Sequence, residues 1–418
     1  MLRTCGIAPP VDPAVLRTSS AVRGFDPFVV DGDGIVSIRP EWVARSDSLV
    51  VHEGERPGEF RLVPAFRELR FEARKPASTI RVAVLGGSST FGLYVAREAA
   101  YPAVLEQRLR THFEGRTVEV LNLGCAGFAS DRCQALLDTV LEYSPDVIVV
   151  DCGNNEMLAY GVEAPEPSAS TLAWRSRLAQ SYVYGWLRAA WSDRSAERRI
   201  DGDRLAELVI FDPARIDEST RVPPSKDTVA AIERAFGERM RAIAAAAAMR
   251  RVPCVFVLPA PNLLAPPFAP AAVPGQTLTA ESVVARAIGA LRAADVKSAI
   301  AAADALLAQA PGHPVGHFLR GLAFSDVGDT AAARRELQLA VDHDARPHRI
   351  TSGLARALEE AARASGVEFV DEREILLQRV DRASASEWVV DHCHPTAAGH
   401  RQIAAAIDRA IQRSIAAR

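Results

Sequence analysis

The chain has 418 residues, of which 48% are hydrophobic, so it can bury one large core and still supply a smaller module. With 49 basic and 52 acidic residues, its formal net charge of -3 is too even to predict a surface that follows a nucleic-acid backbone. No apolar run approaches the ~20 residues that span a bilayer, and the first residues lack the apolar stretch of a secretory signal. We therefore expect a cytoplasmic protein with no transmembrane segment and no nucleic-acid partner.

The cysteines are scattered along the chain without a CxxC pair, which argues against a zinc ribbon and against a disulfide framework. We expect reduced thiols that pack as small buried side chains, rather than redox sensors. The six residues are Cys5, Cys125, Cys133, Cys152, Cys254 and Cys393.

Residues 1 to 75 are rich in proline, glycine and charged side chains. Two apolar runs, Phe28–Val30 and Ile35–Ile38, flank the turn-forming sequence DGDG at 31 to 34. This part of the chain is predicted to form a small β-containing N-terminal arm.

From Ile80 onward, apolar runs that end in glycine or asparagine alternate with longer helical patterns. The runs are IRVAVLGG, VEVLNLG, VIVVDCGNN, residues 252 to 260 and residues 367 to 372, with a helix at 229 to 250. Alternating strands and helices predict an α/β fold, a three-layer sandwich around a parallel sheet of about five strands. Right-handed crossovers would place the strand ends at one edge, where such sheets bind ligands.

A segment at about 160 to 226 combines aromatic and arginine residues. It is consistent with a cap over the sheet edge, with a basic amphipathic helix for a membrane face or acyl chain, or with an aromatic helix face packed on the sheet, which we favour. The aromatic residues are Trp174, Trp186, Trp191, Tyr182 and Tyr184.

Residues 281 to 347 are alanine-rich and show a 34-residue self-similarity, in which Ala287 matches Gly321 and Ala299 matches Ala333. This period is typical of a tetratricopeptide repeat, and two repeats are too few to be stable alone. We therefore expect a small all-α insert docked on a larger domain, which either binds a protein partner or is purely structural. The domain division predicted in this way is an arm at 1 to 75, a first part of the larger domain at 76 to 280, the insert at 281 to 347, and a last part at 348 to 418.

The turn after the first strand, LGGSSTFG, places Ser88 at a strand-to-helix junction. A serine there often only caps the helix. The turn lacks the lysine of a phosphate loop, the spacing of GxGxxG and the last glycine of GxSxG, so it fits neither nucleotide-binding loop nor the α/β-hydrolase elbow.

Near the other end stands DHCHP, in which Asp391 precedes His394 by three residues. An aspartate at this spacing can hold one imidazole nitrogen while the other faces a serine hydroxyl, which is the geometry of a general base. Two alternatives stay open, since Asp391 can simply cap the next helix. A metal site would instead use Asp391, His392, Cys393, His394 and His400.

Two further loops, NLGCAG at 122 to 127 and GNNE at 153 to 156, follow the second and third strands. The backbone amides of Ser88 and Gly127 and the side-chain amide of Asn155 could stabilise an oxyanion. Glycine and asparagine are also common in ordinary turns, so neither loop alone indicates a site.

Together the four segments resemble, in order and type, the blocks of the SGNH (GDSL-like) hydrolases. The resemblance implies Ser88 as nucleophile, His394 as base, Asp391 as the residue that orients it, and Ser88, Gly127 and Asn155 as oxyanion donors. It implies no cofactor and no metal. Gly87 stands at the aspartate of GDSL and Glu156 at that of GxND, as in a subset with GGSS, GNNE and tetratricopeptide repeats, which the sequence PAPNL at 259 to 263 also resembles.

The resemblance implies a serine esterase that hydrolyses a small-molecule, carbohydrate or lipid acyl ester, with an acetyl or other short acyl group. An acyltransferase would use the same residues. A catalytically silent scaffold that binds a protein partner through residues 281 to 347 is the third interpretation, although a scaffold needs none of the four polar residues in the motifs.

Overall fold

A computed structural model describes residues 26–39, 43, 51–53, 59–62, 66–159, 200–201, 225–268, 277–345, 347–377 and 387–416. The aromatic residues of the predicted cap segment lie outside these ranges, as does Cys5. The five cysteines within them are buried free thiols. Among the described residues, no helix has the length and apolar character needed to cross a membrane.

The described strands form three sheets. In chain order the strands are β1 (Phe28–Val30), β2 (Ile35–Ile38), β3 (Val51–Glu53), β4 (Glu59–Leu62), β5 (Arg70–Glu72), β6 (Thr79–Gly86), β7 (Thr117–Gly124), β8 (Val147–Asp151), β9 (Ile200–Asp201), β10 (Cys254–Leu258) and β11 (Glu368–Asp371). Strands β1, β2 and β5 form one sheet, strands β3, β4 and β9 form a second, and the other five form the central sheet.

The described helices flank the central sheet or extend from it, and a short 3-10 helix covers Arg97–Ala99. In chain order the α-helices are α1 (Ser88–Phe91), α2 (Tyr101–His112), α3 (Ser130–Glu142), α4 (Glu156–Ala159), α5 (Lys226–Met249), α6 (Thr277–Arg292), α7 (Val296–Gln309), α8 (Pro314–Asp326), α9 (Thr330–Asp342), α10 (Ser352–Ser365), α11 (Glu372–Leu376) and α12 (Ala397–Ala416).

The central sheet has the order β11-β10-β8-β6-β7, and every pairing in it is parallel. This confirms the predicted five-stranded parallel sheet, and the order is that of a flavodoxin-like doubly wound fold. Strand β10 is shorter than the predicted 252 to 260, because it lies between Pro253 and Pro259, and proline cannot donate to a ladder.

Helices cover both faces of this sheet, which explains why all eight residues of β6 are buried. Ala83 and Leu85 belong to a core formed with α3, α5 and α10, whereas Val82 and Val84 belong to a second core formed with α2 and α12. Alternate side chains of one strand therefore divide between two apolar layers, as a three-layer sandwich requires.

The N-terminal arm belongs to the first of these cores. The two apolar runs of the predicted β-containing arm form a hairpin, since β1 and β2 pair antiparallel with Phe28 opposite Ile38. Phe28, Val36 and Phe71 pack into the same apolar cluster as α3 and α5. The described part of the arm is thus continuous with the main core.

Helices α6 to α9 form two successive helical hairpins, as the repeat period predicts, and α6 begins four residues before the predicted start at 281. A Cβ atom at Gly321 would lie only 2.6 Å from Leu337 Cγ, so glycine is what lets α8 approach α9. Phe318 and Leu337 join the core that contains α2 and α12, and the second hairpin is thereby docked on the sheet domain. The identity of these hairpins as tetratricopeptide repeats stays a prediction.

Candidate active site

The edge of the sheet that carries the first motif is built on a pair of glycines. Gly86 and Gly124 stand opposite each other at the carboxyl ends of β6 and β7. A Cβ atom at Gly86 would overlap Thr90 Oγ1, and one at Gly124 would overlap the backbone of Phe91. Because neither glycine has a side chain, the short helix α1 packs directly on the strand ends and places Ser88, its first residue, at the sheet edge.

The structure brings Ser88 together with the two distant residues of the DHCHP motif. Ser88 Oγ lies 2.7 Å from His394 Nε2, and His394 Nδ1 lies 2.7 Å from Asp391 Oδ2. The other oxygen, Asp391 Oδ1, accepts hydrogen bonds from the backbone amides of Cys393 and His394, each at 2.9 Å. A hydroxyl, an imidazole and a carboxylate are thus connected by hydrogen bonds in the predicted order.

Asp391 and His394 are both almost fully buried, and burial and neighbouring charges shift the pKa of each in opposite directions. Burial alone would raise the pKa of Asp391, but the neighbouring imidazoles of His394 and His392 lower it well below its usual value. Burial alone would lower the pKa of His394, but the Asp391 carboxylate and the Cys393 side chain raise it well above its ordinary value of about 6.5. The carboxylate therefore favours a proton on the imidazole next to it.

This chain is similar to known proteins in its fold but not in its sequence. No family and no curated protein matches the sequence. The fold is similar to the solved structure of a lipase/acylhydrolase from Enterococcus faecalis, with 13% identity, a TM-score of 0.36, and coverage of 80% of this chain and 96% of that one. It is also similar to that of an acetyl xylan esterase from Geobacillus stearothermophilus, with 13% identity, a TM-score of 0.35, and coverage of 81% of this chain and 96% of that one. A GDSL-like lipase from Bacteroides thetaiotaomicron is similar as well, with 12% identity, a TM-score of 0.31, and coverage of 80% of this chain and 88% of that one. TM-scores this low assign neither a family nor an activity to this chain.

Asn155 and Ser88 line one small pocket at the sheet edge, together with Gly87, Phe128 and Pro259. Asn155 Nδ2 donates a hydrogen bond to the Phe128 carbonyl at 2.9 Å, which fixes the orientation of the amide. The second N–H of the same amide is then left to donate to another acceptor.

Gly127 is placed differently from the other two predicted oxyanion donors. It is exposed and has a φ of 79°, in the left-handed region that favours glycine. The described residues that line the pocket include its neighbour Phe128 but not Gly127 itself. Of the predicted donors, Ser88 and Asn155 therefore share the pocket and Gly127 does not.

The other two polar residues of GNNE, Asn154 and Glu156, form hydrogen bonds to neighbouring elements of the domain. Glu156 is buried and accepts hydrogen bonds from the backbone amide and the hydroxyl of Ser130, both at 2.8 Å, at the start of α3. Its second partner is Arg239, at 3.3 Å. Asn154 Oδ1 accepts from the Ile350 amide at 2.9 Å, just before α10. Adjacent residues of one short loop thus contact the pocket, α3 and α10.

Sequence reasoning missed the residue that holds the DHCHP loop. Asn262 Nδ2 donates to the Asp391 carbonyl at 2.6 Å, and the Asn262 amide donates to the His392 carbonyl at 2.8 Å. Arg349, itself buried, donates to the Asn262 carbonyl at 3.0 Å. The resemblance noted for PAPNL was the available signal, because Asn262 is the asparagine of that sequence.

A second group missed from sequence is the loop that follows α1. Tyr94 has a φ of 68°, a strained value for a residue with a side chain, and its ring meets the His394 ring edge-on at 5.4 Å. Arg67, from the N-terminal arm, is buried and donates to the carbonyls of Gly92 and Val95 at 2.9 Å each. The arm therefore supports the loop that packs against His394.

A third missed group is a buried network beneath Ser88. Thr90 Oγ1 and the Tyr101 hydroxyl donate to Asp151 Oδ2 at 3.0 and 3.1 Å. Burial raises the pKa of Asp151 to about 6. His400, which the metal alternative included, belongs near this network, because its Nδ1 accepts from the Tyr101 amide at 3.2 Å. His400 is therefore separate from the other four candidate ligands.

Proposed function

We propose that this protein is a serine hydrolase of the SGNH (GDSL-like) type that cleaves carboxylic esters. The observation that carries the proposal is the unbroken connection from Ser88 Oγ to His394 Nε2 and from His394 Nδ1 to Asp391 Oδ2, with both distances at 2.7 Å. A serine, a histidine and a carboxylate in this arrangement form an activated nucleophile.

In the proposed reaction, the Ser88 proton moves to His394 Nε2 while Ser88 Oγ forms a bond to the ester carbonyl carbon. His394 then gives the proton to the leaving alcohol oxygen as the ester bond breaks, which leaves an acyl group on Ser88. Water, deprotonated by the same imidazole, attacks the acyl-enzyme and releases the carboxylic acid. The cycle consumes one water and returns both side chains to their starting state.

Asp391 acts in this scheme by fixing the imidazole. Its Oδ2 accepts the Nδ1 proton of His394, so Nε2 is the nitrogen that faces Ser88 without a proton. The two backbone amides on Oδ1 hold the carboxylate in place, and they favour its charged form. The same charge stabilises the imidazolium that forms during the reaction.

Three groups are proposed to stabilise the oxyanion of the tetrahedral intermediate: the backbone amides of Ser88 and Gly127 and the side-chain amide of Asn155. Asn155 has the strongest support among them, because it lines the Ser88 pocket and its amide is already oriented by the Phe128 carbonyl. Gly127 would have to donate from outside the residues that line this pocket.

The proposed substrate carries an acetyl or other short acyl group. The pocket beside Ser88 is narrow, since a Cβ atom at Gly87 would lie 3.1 Å from Asn155 Nδ2 and 3.2 Å from the Phe128 carbonyl oxygen. This close approach on the Gly87 side of Ser88 favours a short acyl group.

The test is hydrolysis of p-nitrophenyl esters with acyl chains from acetate to decanoate by wild-type, Ser88→Ala and Ser89→Ala protein. We expect kcat/KM to be highest for the shortest chains and to be lost in Ser88→Ala. The matched control Ser89→Ala should keep most of the activity, because its hydroxyl lies 3.5 Å from the Cys393 carbonyl and makes no contact with His394 in this arrangement. Wild-type hydrolysis by Ser88→Ala would refute the proposal.

A further inference from the structure

The DHCHP loop carries four potential metal ligands at one point. Asp391, His392, Cys393 and His394 each offer one ligand atom, and these atoms all lie within 4.8 Å of one another. Three of the four residues are buried and His392 is nearly so. The proposed hydrolysis assigns a step or an orienting role only to Asp391 and His394 of this loop. The side chains of His392 and Cys393 take no step in it, although they shift the pKa values of Asp391 and His394.

The histidine outside the hydrogen-bonded triad has an unsatisfied nitrogen. His392 Nδ1 is buried and has no hydrogen-bond partner among the described residues. It lies 3.5 Å from Asp391 Oδ2, the oxygen that also meets His394 Nδ1. A buried, unpaired nitrogen costs free energy, which a ligand that accepts its lone pair would remove.

The spacing of the four atoms suits a small tetrahedral cation. Zinc holds nitrogen and oxygen ligands at about 2.0–2.2 Å and sulfur at about 2.3 Å, so its ligand atoms stand roughly 3.3–3.8 Å apart. Cys393 Sγ lies 3.9 Å from His394 Nδ1, and His392 Nδ1 lies 3.5 Å from Asp391 Oδ2. The His394–Asp391 pair, at 2.7 Å, would have to open, and every other pair already lies within 4.8 Å.

The donor set also selects among cations. Two imidazole nitrogens and a thiolate are preferred by zinc and similar borderline-soft ions, whereas magnesium and calcium prefer oxygen ligands. The backbone of the loop is held by Asn262, and the Phe268 ring meets the His392 ring edge-on at 4.8 Å. The ligands are therefore held close together before any ion binds.

We propose that Asp391, His392, Cys393 and His394 form an inhibitory Zn²⁺ site inside the catalytic loop. The inhibitory part of the proposal rests on the proposed function, whereas the ion-binding part does not.

The proposed inhibition follows from which nitrogen of His394 the ion takes. Zn²⁺ would bind Nδ1, the nitrogen that carries a proton in the hydrolase. That proton moves to Nε2, and the Cys393 thiol loses its proton to solvent as the Zn–S bond forms. With a proton on Nε2, His394 can no longer accept the Ser88 proton, and Asp391 no longer orients the ring. In a serine hydrolase, the wrong imidazole tautomer alone lowers kcat by roughly 10⁴-fold.

Ion binding is tested first, on the full chain freed of metal by a chelator and then titrated with Co²⁺ as a spectroscopic substitute for Zn²⁺. We expect a near-ultraviolet thiolate-to-cobalt band that saturates at one equivalent and disappears when Zn²⁺ is added. The band should be lost in Cys393→Ser and kept in Cys254→Ser, a buried thiol in β10 outside the cluster. No band in the wild type, or an equal band in Cys393→Ser, would overturn the site.

His392→Gln is the second variant, in case Cys393→Ser fails to fold. It leaves the thiol, the triad and the loop anchors in place, and we expect the Co²⁺ affinity to fall by at least roughly tenfold. An affinity equal to that of the wild type would remove His392 from the site and contradict the proposal.

Inhibition is tested by the rate at which a fluorophosphonate probe labels the protein with and without saturating Zn²⁺. We expect labelling to slow by at least roughly 10²-fold, to recover with chelator, and to need at least roughly tenfold more Zn²⁺ for half of this effect in His392→Gln. A saturated cobalt site with unchanged labelling would refute the inhibition. Absence of labelling in metal-free wild-type protein would refute the proposed hydrolase instead, while the cobalt titration would still decide the ion site.

Discussion

The sheet edge around Ser88 and the second helical hairpin, α8 with α9, are built on different principles. At the edge, buried polar side chains are each held by specific hydrogen bonds, as Asp391 is by two backbone amides and His394. In the hairpin, small residues such as Gly321 permit close apolar packing against Leu337. The difference teaches that a change in a proposed catalytic side chain at the edge should mainly alter activity, whereas a change in the hairpin should alter stability with little loss of activity.

The largest expected effect is that of Asp391→Asn at the edge. Because an asparagine amide favours the wrong imidazole tautomer, we expect kcat/KM for ester hydrolysis to fall by roughly 10⁴-fold. The matched control is Asp408→Asn in α12, a buried aspartate that also meets a histidine, with Asp408 Oδ2 3.2 Å from His112 Nε2. Activity per folded Asp408→Asn enzyme should be close to that of the wild type. Equal losses in the two variants would mean that Asp391 acts only in folding.

A smaller effect on activity is expected at GNNE, where one of two adjacent asparagines should affect turnover and the other should affect stability. Asn155→Ala removes a proposed oxyanion donor, so kcat should fall by roughly 10²-fold or more. Asn154→Ala instead removes the acceptor of the Ile350 amide and should cost about 1–3 kcal/mol of unfolding free energy, measured by chemical denaturation. An unchanged turnover in Asn155→Ala would exclude that residue from the mechanism.

Below the pKa of His394, kcat/KM for ester hydrolysis should fall about tenfold for each unit by which the pH is lowered. His394 must be neutral to accept the Ser88 proton, so kcat/KM falls as pH falls through the pKa of His394. Burial alone would lower that pKa, but the Asp391 carboxylate and the Cys393 side chain raise it well above its ordinary value of about 6.5. We expect the acid limb above pH 6.5, measured with a chelator present, and a shift to lower pH in Asp391→Asn. A limb below pH 6.5 in the wild type would contradict the His394–Asp391 coupling.

The smallest effect on activity is expected in the hairpin. Gly321→Ala forces a methyl group against Leu337 and should lower the free energy of unfolding by about 1–3 kcal/mol. Gly289→Ala in α6 meets nothing within 4 Å and should raise it by about 0.5–1 kcal/mol. Both variants should hydrolyse esters at the wild-type rate per folded molecule. A tenfold loss of kcat in Gly321→Ala would show that the hairpin and the sheet edge are coupled.

The sequence predicts the sheet well because its strands are continuous apolar runs, and it places the loops after the first three strands at one edge because parallel strands end there. Among the described elements, the DHCHP loop directly follows no strand end, and its approach to Ser88 is expected from the Asp–His spacing and from the resemblance. The supporting contacts leave no such pattern. Asn262 reaches Asp391 across 129 residues, and Arg67 reaches the Phe91 carbonyl of α1 from the N-terminal arm. A single side chain that donates to a backbone carbonyl has no periodicity from which it could be predicted.

The motifs predict which residues lie near the site better than they predict what each of these residues contacts. GNNE offered Asn155 as a donor from its resemblance, but the resemblance did not show that Glu156 would cap α3 through Ser130. It also implied Gly127 as an oxyanion donor, and it did not indicate that the neighbouring Phe128 would line the pocket. The backbone path of a glycine-rich turn depends on packing against its neighbours, which the motif alone does not contain.

The central claim is that Ser88 is the activated nucleophile of the chain. Its most direct test is to treat folded protein with a fluorophosphonate probe and to locate the modified residue by peptide mass spectrometry. The account predicts a single adduct on Ser88, slowed strongly in His394→Ala. Folded protein that stays unmodified, or an adduct on another serine that forms equally fast without His394, would contradict it.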